Sequence, residues 1–597
     1  MNNKKYDKQL YEFHYIETIK DFIVGSAYRC ADEPAYMFKK KHDEPFSVLT
    51  YAEFDRMRKA LGTALCDMGL SGSKIAVFGD NSHLWALAYF TVVTGVGVIV
   101  PIDKNLPQDE IENLLERADV ELLFTSMSVA KTAHDIIGKS DRLKCAVILD
   151  EPDAYSNHRQ DFETLMKDEK MLSLDSLIAY GEELIERGER GYIDAEIDQE
   201  DLSTILFTSG TTGLAKGVML SHRNLAQNVF NMSKYVSIPE DGRVLSVLPM
   251  HHAYEMTCTV MTSFYQGRTV VICEGLKYIQ KNFLEAKCAM MLGVPLVFEN
   301  IYRKIWQKAK KSDSTEKLRR AIGISKRLNL KNNRAATRRL FRSVTDIFGD
   351  DLYLLISGGA AIDAAVIVEF EAMGLPIIQG YGMTECAPII AVNQDRYSKA
   401  GAVGKPMPNT EVRVVDKDEY GIGEIICKGP SVMMGYYNDP ENTAKAIRDG
   451  WLYTGDFGFL DDDGFLYVTG RKKNVIVTKG GKNIFPEEVE YYLLLSEYVN
   501  EVLVYGKRDP IKDDLICTAI IYPDYAVLKE HRATTDKEIY KKLSAAIDAA
   551  NEKMTPYKRI KRFEVREDEF IKTTTLKIKR FEEKNYEYKF DSRTFEK

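Results

Sequence analysis

The stretch Thr208–Gly217 constrains this chain most, because it places three glycines, four hydroxyl side chains and one lysine within ten residues. The apolar run Thr204–Phe207 precedes it and Val218–Leu220 follows it, so two strands with a glycine-rich connection are predicted. Glycine lets the backbone turn its N–H groups toward a ligand, and the hydroxyl and ammonium groups add further donors. The stretch therefore predicts a cradle for a polyphosphate, with a ligand-free β-hairpin tip as the alternative. It is not a Walker loop, which ends in Gly-Lys-Ser/Thr.

The bulk composition describes a large protein of ordinary globular character. A chain of 597 residues exceeds a single hydrophobic core, so we predict three or more compact units. Its contents of 45% hydrophobic and 28% charged residues are typical of globular domains. The net charge of −8 argues against a general nucleic-acid binder.

The cysteines and the apolar segments bear on where the protein resides. Nine cysteines, without metal-ligand spacing, stand at positions 30, 66, 145, 258, 273, 288, 386, 427 and 517. This odd, dispersed set indicates a reduced, cytoplasmic protein, and residues 1–20 contain no signal-peptide core. Threonines and glycines interrupt the apolar stretch Trp85–Ile102, which predicts a helix end and a buried strand instead of a membrane span.

Short apolar runs alternate with helical patterns through most of the chain. Runs of strand length stand at 75–78, 96–100, 122–124, 146–149, 244–248, 269–272, 290–292, 352–356 and 376–378. The alternation predicts βαβ units, and therefore an α/β protein whose mainly parallel sheets are flanked by helices. Residues 151–200 are acidic and weakly patterned, so we expect a surface excursion there. Residues from 401 to about 468 predict a small β-rich subdomain, and an α+β domain follows.

Residues 303–342 differ in character from the rest of the chain. They contain fifteen lysines and arginines against two acidic residues, a local net charge of +13, punctuated by apolar side chains. This pattern is typical of a basic amphipathic helix pair that lies on an anionic membrane. A solvated helical excursion with no specific partner is the alternative.

Two more glycine-rich loops are predicted directly after strands, where open α/β sheets bind ligands. The first is Ser357–Ala361 and the second is Gln379–Glu385. In the second, Tyr381 offers a flat face for a purine, Thr384 a hydroxyl for phosphate and Glu385 an oxygen ligand for Mg2+.

Three further positions have the chemistry of a nucleotide site. Asp456 follows a glycine turn and can accept hydrogen bonds from ribose hydroxyls, with Arg471 nearby in sequence. Near the C-terminus, Ile571–Arg580 presents lysines in a threonine-rich loop. This pattern alone indicates a solvated charged segment.

The motifs together resemble the adenylate-forming superfamily of acyl-CoA synthetases, adenylation domains and luciferases. The resemblance runs from about Tyr51 to Arg580, and its order and spacing are specific although each motif alone is not. The matching motifs are Thr208–Gly217, Leu248–His252, Tyr381–Glu385, Tyr453–Asp456, Gly470–Lys473 and Thr573–Arg580. Val297–Tyr302 and the basic segment after it look most like the long-chain fatty-acid branch.

The resemblance implies an N-terminal domain over residues 1–472 and a C-terminal lid over 473–597 that rotates between two half-reactions. In the first, a carboxylate attacks the α-phosphate of ATP to give acyl-AMP and pyrophosphate. In the second, the acyl group passes to the thiol of CoA. A fatty acid is already ionised at pH 7, with a pKa of about 4.3, so catalysis is positioning and charge stabilisation.

The resemblance also assigns the nucleotide site. The residues assigned to phosphate binding are Thr208, Ser209, Gly210, Thr211, Thr212, Gly213 and Lys216. Phosphate and Mg2+ are positioned by Thr208, Thr384 and Glu385. The adenine is framed by Gly358, Gly359, Ala360 and Tyr381, and the nucleotide site also includes Gln379, Gly380 and Gly382. Asp456 and Arg471 hold the ribose, and Lys577 reaches the α-phosphate and the carboxylate.

For the second half-reaction, the resemblance makes Lys473 the hinge and lets the pantetheine thiol approach past Gly480 and Gly481. His252 falls between the carboxylate and the incoming thiol. The acyl tail would lie beneath Met256, Met261 and Phe264.

The sequence departs from the family pattern at two positions, where Leu576 replaces a common glycine and Ile571 a common proline. These departures put the geometry of the Lys577 loop in question more than the role of the lysine.

The resemblance implies an ATP-dependent synthetase acting on medium- or long-chain fatty acids, with Mg2+ and CoA. An acyl-ACP synthetase or a fatty acyl-AMP ligase that delivers to another carrier is the alternative within the family. A nucleotide-gated acyl-binding protein is the non-enzymatic alternative. The expected location is cytoplasmic, with residues 303–342 as a possible contact to the inner face of a membrane.

Overall fold

The computed structural model describes residues 9–150, 152, 156, 158–208, 215–478, 482–509, 514–573 and 577–595. Within these ranges the chain forms two compact units. The first comprises the residues up to Val412 together with Cys427–Leu452, and the second comprises Arg413–Ile426 and the residues from Tyr453 onward. The functional boundary predicted at Lys473 stays a prediction.

The strands occur throughout the chain and are mostly short. In chain order they are β1 Pro34–Phe38, β2 Ser47–Thr50, β3 Lys74–Phe78, β4 Val98–Pro101, β5 Val120–Thr125, β6 Cys145–Ile148, β7 Met171–Ser173, β8 Leu202–Thr208, β9 Lys216–Ser221, β10 Arg243–Ser246, β11 Thr269–Ile272, β12 Met290–Gly293, β13 Leu354–Ser357, β14 Ile377–Gly382, β15 Ile389–Val392, β16 Lys405–Pro406, β17 Glu411–Val415, β18 Gly423–Lys428, β19 Gly435–Tyr436, β20 Ile447–Arg448, β21 Trp451–Leu460, β22 Leu466–Arg471, β23 Ile476–Val477, β24 Asn483–Ile484, β25 Val499–Asp509, β26 Asp514–Pro523, β27 Arg562–Val565 and β28 Phe590–Asp591.

Two large sheets form the frame of the first unit. One has the strand order β16-β15-β14-β13-β12-β10-β11-β1-β2, and the other has the order β19-β9-β8-β4-β3-β5-β6-β7. The central pairs, such as β12 with β13, β13 with β14 and β3 with β4, are parallel, whereas antiparallel pairs stand toward the edges. The predicted α/β class with mainly parallel sheets is therefore confirmed.

The helices cover these sheets. In chain order they are α1 Ile19–Arg29, α2 Tyr51–Asp67, α3 His83–Thr91, α4 Gln108–Arg117, α5 Ala130–Lys139, α6 Arg159–Leu165, α7 Leu174–Glu186, α8 His222–Ser233, α9 Ala253–Glu255, α10 Thr262–Tyr265, α11 Ile279–Glu285, α12 Pro295–Lys311, α13 Thr315–Arg327, α14 Arg334–Leu340, α15 Arg342–Thr345, α16 Ala364–Ala372, α17 Pro440–Ala446, α18 Pro486–Leu494, α19 Tyr525–Glu530 and α20 Asp536–Glu552. Helix α2 begins directly after Thr50, because Thr50 and Glu53 form a capping box at its N-terminus.

Smaller sheets follow the two large ones. Strands β17, β18, β21 and β20 pair in that order, with β22 beside β21, and they cover the predicted β-rich region. The C-terminal part contains the sheet β25-β26-β27-β28, against which α18 and α20 pack through a shared apolar core. The α+β character predicted for this part is present.

The expectation for residues 151–200 was wrong. Strand β7 extends the second large sheet beside β6, and α7 packs on α2 so closely that a Cβ at Gly181 would lie 1.8 Å from the Ala60 carbonyl oxygen. Tyr192 is fully buried and donates to the Thr91 carbonyl. Phe162, Leu165, Met171, Leu174 and Leu177 are buried as well, so a small apolar set acts together with the glycine contact and the buried polar network.

The basic segment is helical as predicted, but instead of a helix pair it contains the second half of α12 followed by α13 and α14. None of the helices in the described ranges is long and apolar enough to cross a membrane. The stretch Trp85–Ile102 instead forms most of α3, a π-helical turn at Val92–Val96 and strand β4.

A carboxyl group is fully buried inside the first unit. Glu255 is 0% exposed and accepts hydrogen bonds from Ser246 Oγ at 2.6 Å and Thr259 Oγ1 at 3.2 Å. Burial raises the pKa of Glu255 from the ordinary value of 4.5 to about 8, although these hydroxyls and the backbone N–H groups of Leu248 and Val247 oppose the rise.

We expect Glu255→Gln to remove a pH dependence of stability. The folded protein keeps a proton that the unfolded chain releases, so the free energy of unfolding falls as pH rises from about 4.5 to about 8. A shift of this size on one carboxyl corresponds to roughly 4–5 kcal/mol. Melting temperatures measured from pH 5 to 8 should therefore fall less in the variant than in the wild type.

The matched control is Glu53→Gln. The capping hydrogen bonds of Thr50 lower the pKa of the exposed Glu53, so its contribution is lost only as pH falls below its usual range. The melting temperature of this control should change with pH as that of the wild type does between pH 5 and 8. Parallel melting profiles for the wild type and the Glu255 variant would contradict the buried-acid assignment.

Candidate functional site

The predicted phosphate cradle is the connection of an antiparallel hairpin. Thr208 ends β8 and Lys216 begins β9, and the two residues face each other in register. The Thr208 hydroxyl donates to the Lys216 carbonyl at 3.5 Å. The predicted phosphate-binding residues Ser209, Gly210, Thr211, Thr212 and Gly213 lie outside the described residues.

Two predicted site residues, Lys216 and Glu385, are brought together by a third that sequence reasoning missed. The Tyr436 hydroxyl donates to Glu385 Oε1 at 2.9 Å, and Lys216 Nζ lies 4.9 Å from the centroid of the Tyr436 ring. Burial, and then the charge of Glu385, raise the pKa of Tyr436, which keeps its hydroxyl a donor. The arrangement is a lysine and a carboxylate held by one buried aromatic side chain.

Glu385 and Thr208 fit a magnesium ion by their chemistry. Mg2+ prefers oxygen ligands and is characteristically held by one or two carboxylates together with substrate phosphates. Glu385 is half-buried in a short 3-10 turn, Thr384–Cys386, and its carboxylate is oriented by the Tyr436 hydrogen bond. Thr384 lies in the same turn and is also half-buried.

The first predicted nucleotide loop follows β13. Gly358 is buried and donates its N–H to the Gly293 carbonyl at 3.1 Å. A Cβ here would come within 2.7 Å of the Tyr254 ring, so glycine is required by the close approach. Gly359 has a φ of +81° and, like Ala360, is exposed. The loop therefore presents backbone to a ligand.

The second predicted loop is corrected by the structure. Gln379, Gly380, Tyr381 and Gly382 belong to strand β14 and pair with β15 in antiparallel register, so only the residues after Gly382 form a turn. Close packing requires the glycine at position 382, since a Cβ at Gly382 would lie 2.0 Å from the Pro388 carbonyl oxygen.

Two buried polar atoms, one at the end of β13 and one within β14, have the chemistry to bind a ligand with hydrogen-bonding groups. Ser357 and Gln379 are register partners. Within the described part of the chain, Ser357 Oγ and Gln379 Oε1 are buried without a hydrogen-bond partner. Such groups are costly when unsatisfied, and the edge of a purine base offers both donors and acceptors for them.

The histidine motif is fixed by an asparagine. Asn81 Nδ2 donates to the Leu248 carbonyl at 2.6 Å, and its Oδ1 accepts from the Met250 N–H at 2.9 Å. The ring of the predicted His252 lies 4.2 Å from that of His251. Burial lowers the pKa of His251, against the opposing effect of Asp103, whose Oδ2 is 3.7 Å away.

A small apolar cavity lies between the helical segment after His252 and strands of the first large sheet. Tyr254, Cys258 and Thr262 line it with a spacing of four residues, and Gly380 of β14 is part of its wall. Met256, Met261 and Phe264, expected above an acyl tail, are buried in the core and do not line this cavity. They lie on the other faces of the same segment.

The second unit brings together the predicted ribose residues and the lysine. Arg471 Nε lies 2.8 Å from Asp456 Oδ1, and the two residues are register partners on β21 and β22. Desolvation of the ammonium group by the surrounding protein is the main cause that lowers the pKa of Lys577 to about 8. The positive charge of Arg471 lowers the pKa further, and the negative charge of Asp456 opposes the shift. The Lys577 side chain as a whole remains exposed.

The loop that carries Lys577 is anchored on both sides. Lys572 forms an ion pair with Glu501, and Arg580 Nη2 donates to Glu490 Oε2 at 2.6 Å. The Thr573 N–H donates to the Lys577 carbonyl at 2.8 Å. Leu576 lies outside the described residues, whereas Ile571 is exposed and hydrogen-bonded through its backbone to Asn585.

The predicted elements of the second half-reaction are only partly described. Lys473 lies in a 3-10 turn, Lys472–Asn474, directly after β22. Gly480 and Gly481 lie outside the described residues. The hinge and the thiol path stay predictions.

Comparison with known proteins identifies the family. The pattern of the family described as AMP-binding enzyme matches residues 25–437, and that of the AMP-binding enzyme C-terminal domain matches residues 473–587. The chain is 27% identical over 582 residues to the long-chain-fatty-acid–CoA ligase FadD15 of Mycobacterium bovis, with 92% of each chain covered. It is 27% identical over 592 residues to the long-chain-fatty-acid–CoA ligase of Bacillus subtilis, covering 94% of this chain and 93% of the relative.

Solved structures share the fold. The o-succinylbenzoate CoA synthetase of Bacillus subtilis, solved with ATP and magnesium, superposes with a TM-score of 0.69 at 21% identity, covering 94% of this chain and 98% of the other. The anthranilate CoA ligase AuaEII, solved with anthranoyl-AMP, gives 0.72 at 20% identity, covering 96% and 97%. The AMP-binding pattern spans more than half of the sequence, which confirms the predicted resemblance: this chain belongs to the AMP-binding enzyme family.

Proposed function

We propose that the protein is an ATP-dependent acyl-CoA synthetase that activates a medium- or long-chain fatty acid as acyl-AMP and then transfers the acyl group to CoA. The observation that carries the proposal is the arrangement of Lys216, Tyr436 and Glu385, which holds an ammonium group and a carboxylate together as binding of ATP with Mg2+ requires. The names of relatives that match most of the chain, long-chain-fatty-acid–CoA ligases, support a fatty acid as the substrate.

In the first half-reaction a carboxylate oxygen attacks the α-phosphorus and pyrophosphate leaves. Lys216 and the residues before it hold the β- and γ-phosphates, while Glu385 and Thr208 hold Mg2+. The metal, when bound, neutralises phosphate charge. In this proposal the ammonium group of Lys577 donates hydrogen bonds to the α-phosphate and the carboxylate, where negative charge is concentrated in the transition state.

In the second half-reaction the CoA thiol attacks the acyl carbon and AMP leaves. The proposal assigns the hinge to Lys473, the thiol path to Gly480 and Gly481, and a position between carboxylate and thiol to His252. The names of the long-chain relatives support the tail length and the acceptor.

The deciding experiment measures exchange of labelled pyrophosphate into ATP with fatty acids of increasing chain length. We expect exchange that depends on a medium- or long-chain acid, and thioester formation when CoA is added. Absence of fatty-acid-dependent exchange at every chain length would contradict the proposal. Exchange followed by transfer only to a carrier protein would instead support the acyl-carrier alternative.

Replacing Lys577 should separate the two half-reactions. Because the proposal gives its ammonium group a role only at the α-phosphate, Lys577→Ala should lower pyrophosphate exchange by about 10²–10³-fold. Conversion of supplied acyl-AMP and CoA to thioester should stay within about twofold of the wild type. The control is Lys579→Ala in the same loop, which should retain both activities. Equal loss of both half-reactions in the Lys577 variant would contradict this role.

The proposal includes an anionic membrane as a partner, through the outward face of α13. Lys317, Arg320 and Arg327 are exposed, recur at helical spacing and form no ion pair with the described residues. On the same face Ile324 is 50% exposed and Leu328 is 62% exposed. Basic side chains around exposed aliphatic ones suit adsorption to anionic lipid, where each cation contributes about 1 kcal/mol.

Charge reversal tests this contact. The triple variant Lys317→Glu, Arg320→Glu, Arg327→Glu should lose most of its sedimentation with vesicles containing phosphatidylglycerol, and the wild type should lose it at high salt. The control reverses three other exposed lysines, Lys537, Lys541 and Lys553, near and on α20. Equal sedimentation of all three proteins, or none with the wild type, would contradict the membrane contact.

A further inference from the structure

The two-residue strand β19 attaches a distant part of the chain to the phosphate hairpin. Gly435 and Tyr436 pair with Met219 and Val218 of β9. The backbone continues this contact on both sides, since the Tyr437 N–H donates to the Gly217 carbonyl at 2.7 Å and the Met434 N–H donates to Met219 at 3.0 Å. The backbone position of Tyr436 is therefore fixed relative to Lys216.

The same segment is also hydrogen-bonded to the backbone of Glu385. The Met433 N–H donates to the Glu385 carbonyl at 3.0 Å, and the Tyr436 N–H donates to Thr443 Oγ1 at 2.9 Å. A Cβ at Gly435 would lie 2.8 Å from Thr443, so the chain passes close to α17 at this point. These bonds leave the tyrosine little freedom to move away from Glu385.

The side chain then reaches both charged groups. Tyr436 is 8% exposed, its hydroxyl donates to Glu385 Oε1 at 2.9 Å, and its ring lies 4.9 Å from Lys216 Nζ. The hydroxyl selects one orientation of the carboxylate, and the ring face attracts the ammonium group. An apolar packing role alone would require neither contact.

We propose that Tyr436 is a positioning residue that sets Lys216 and Glu385 relative to each other, so that the phosphates and Mg2+ of ATP bind as one unit. The inference rests on the proposed function, because it takes Mg·ATP as the ligand. Its two contacts have separate effects. The hydroxyl orients Glu385, which binds the metal, and the ring positions Lys216, which binds the phosphates.

The test is ATP binding measured by calorimetry over a series of Mg2+ concentrations, without fatty acid or CoA. In Tyr436→Phe the hydroxyl is lost and the ring remains, so the Mg2+ concentration for half-maximal enhancement of ATP binding should rise about tenfold. This matches the loss of one hydrogen bond to a charged group. Affinity for ATP in the presence of a chelator should change less than twofold.

Two further variants make the result specific. Tyr437→Phe removes the neighbouring hydroxyl, which donates to Asp119 at 3.0 Å, and should leave the Mg2+ dependence unchanged. Tyr436→Leu also removes the ring, and should weaken ATP binding with the chelator present as well. Melting temperatures identify any variant that fails to fold.

The outcomes distinguish this inference from the proposed function. If the wild type shows no Mg2+-dependent ATP binding, the proposed function itself fails. If the wild type shows it and Tyr436→Phe gives the same Mg2+ dependence as the wild type and Tyr437→Phe, only the positioning role is overturned.

Discussion

The pairing of β9 on both of its edges is the constraint on which the phosphate site depends. On one side β8 places Thr208 opposite Lys216, and on the other β19 places Tyr436 beside Val218. Backbone hydrogen bonds in a sheet fix register to a single residue, and a slip of one residue would turn every side chain to the opposite face. The position of Lys216 relative to Tyr436 is therefore a consequence of sheet register, and the position of Glu385 follows from the tyrosine.

A second consequence of strand geometry is that one strand separates two kinds of ligand environment. Side chains alternate between the faces of a strand, and in β14 Gly380 forms part of the cavity wall while its neighbours Gln379 and Tyr381 point the other way. Ile356 and Ser357 of β13 repeat this division, since Ile356 lines the cavity and Ser357 is the register partner of Gln379. In the proposed function, opposite faces of the same two strands would contact the apolar tail and the polar base.

Much of the fold could be predicted from sequence because its strands and helices carry strong periodic signals. Strands β3 to β6 lie close to their predicted positions, since burial of whole apolar runs determines them. Glycine was the ambiguous signal. The glycines of Gln379–Gly382 predicted a loop, whereas Gly382 lies in a strand and allows the backbone at Pro388 to approach closely.

The site was predictable where a motif is local and not where it depends on partners distant in sequence. Arg471 and Asp456 could be paired from their order along the chain, and the structure joins them directly. Tyr436 could not be found, because nothing in its own neighbourhood encodes contacts with Glu385 and Lys216. Tyr192 is a similar case: its hydroxyl bonds Arg58 and Thr94, two polar partners on other elements that no apolar pattern predicts.

The loop of Lys577 is anchored at both ends by the ion pairs of Lys572 and Arg580. Desolvation, and then the positive charge of Arg471, lower the pKa of Lys577 to about 8. A lowered pKa means that the charged form is disfavoured in this environment. An incoming phosphate or carboxylate reverses that penalty and raises the pKa again. With a pKa of about 8 the lysine is mostly charged at pH 7, and in the proposed function this desolvated charge faces the negative charge that is concentrated in the transition state.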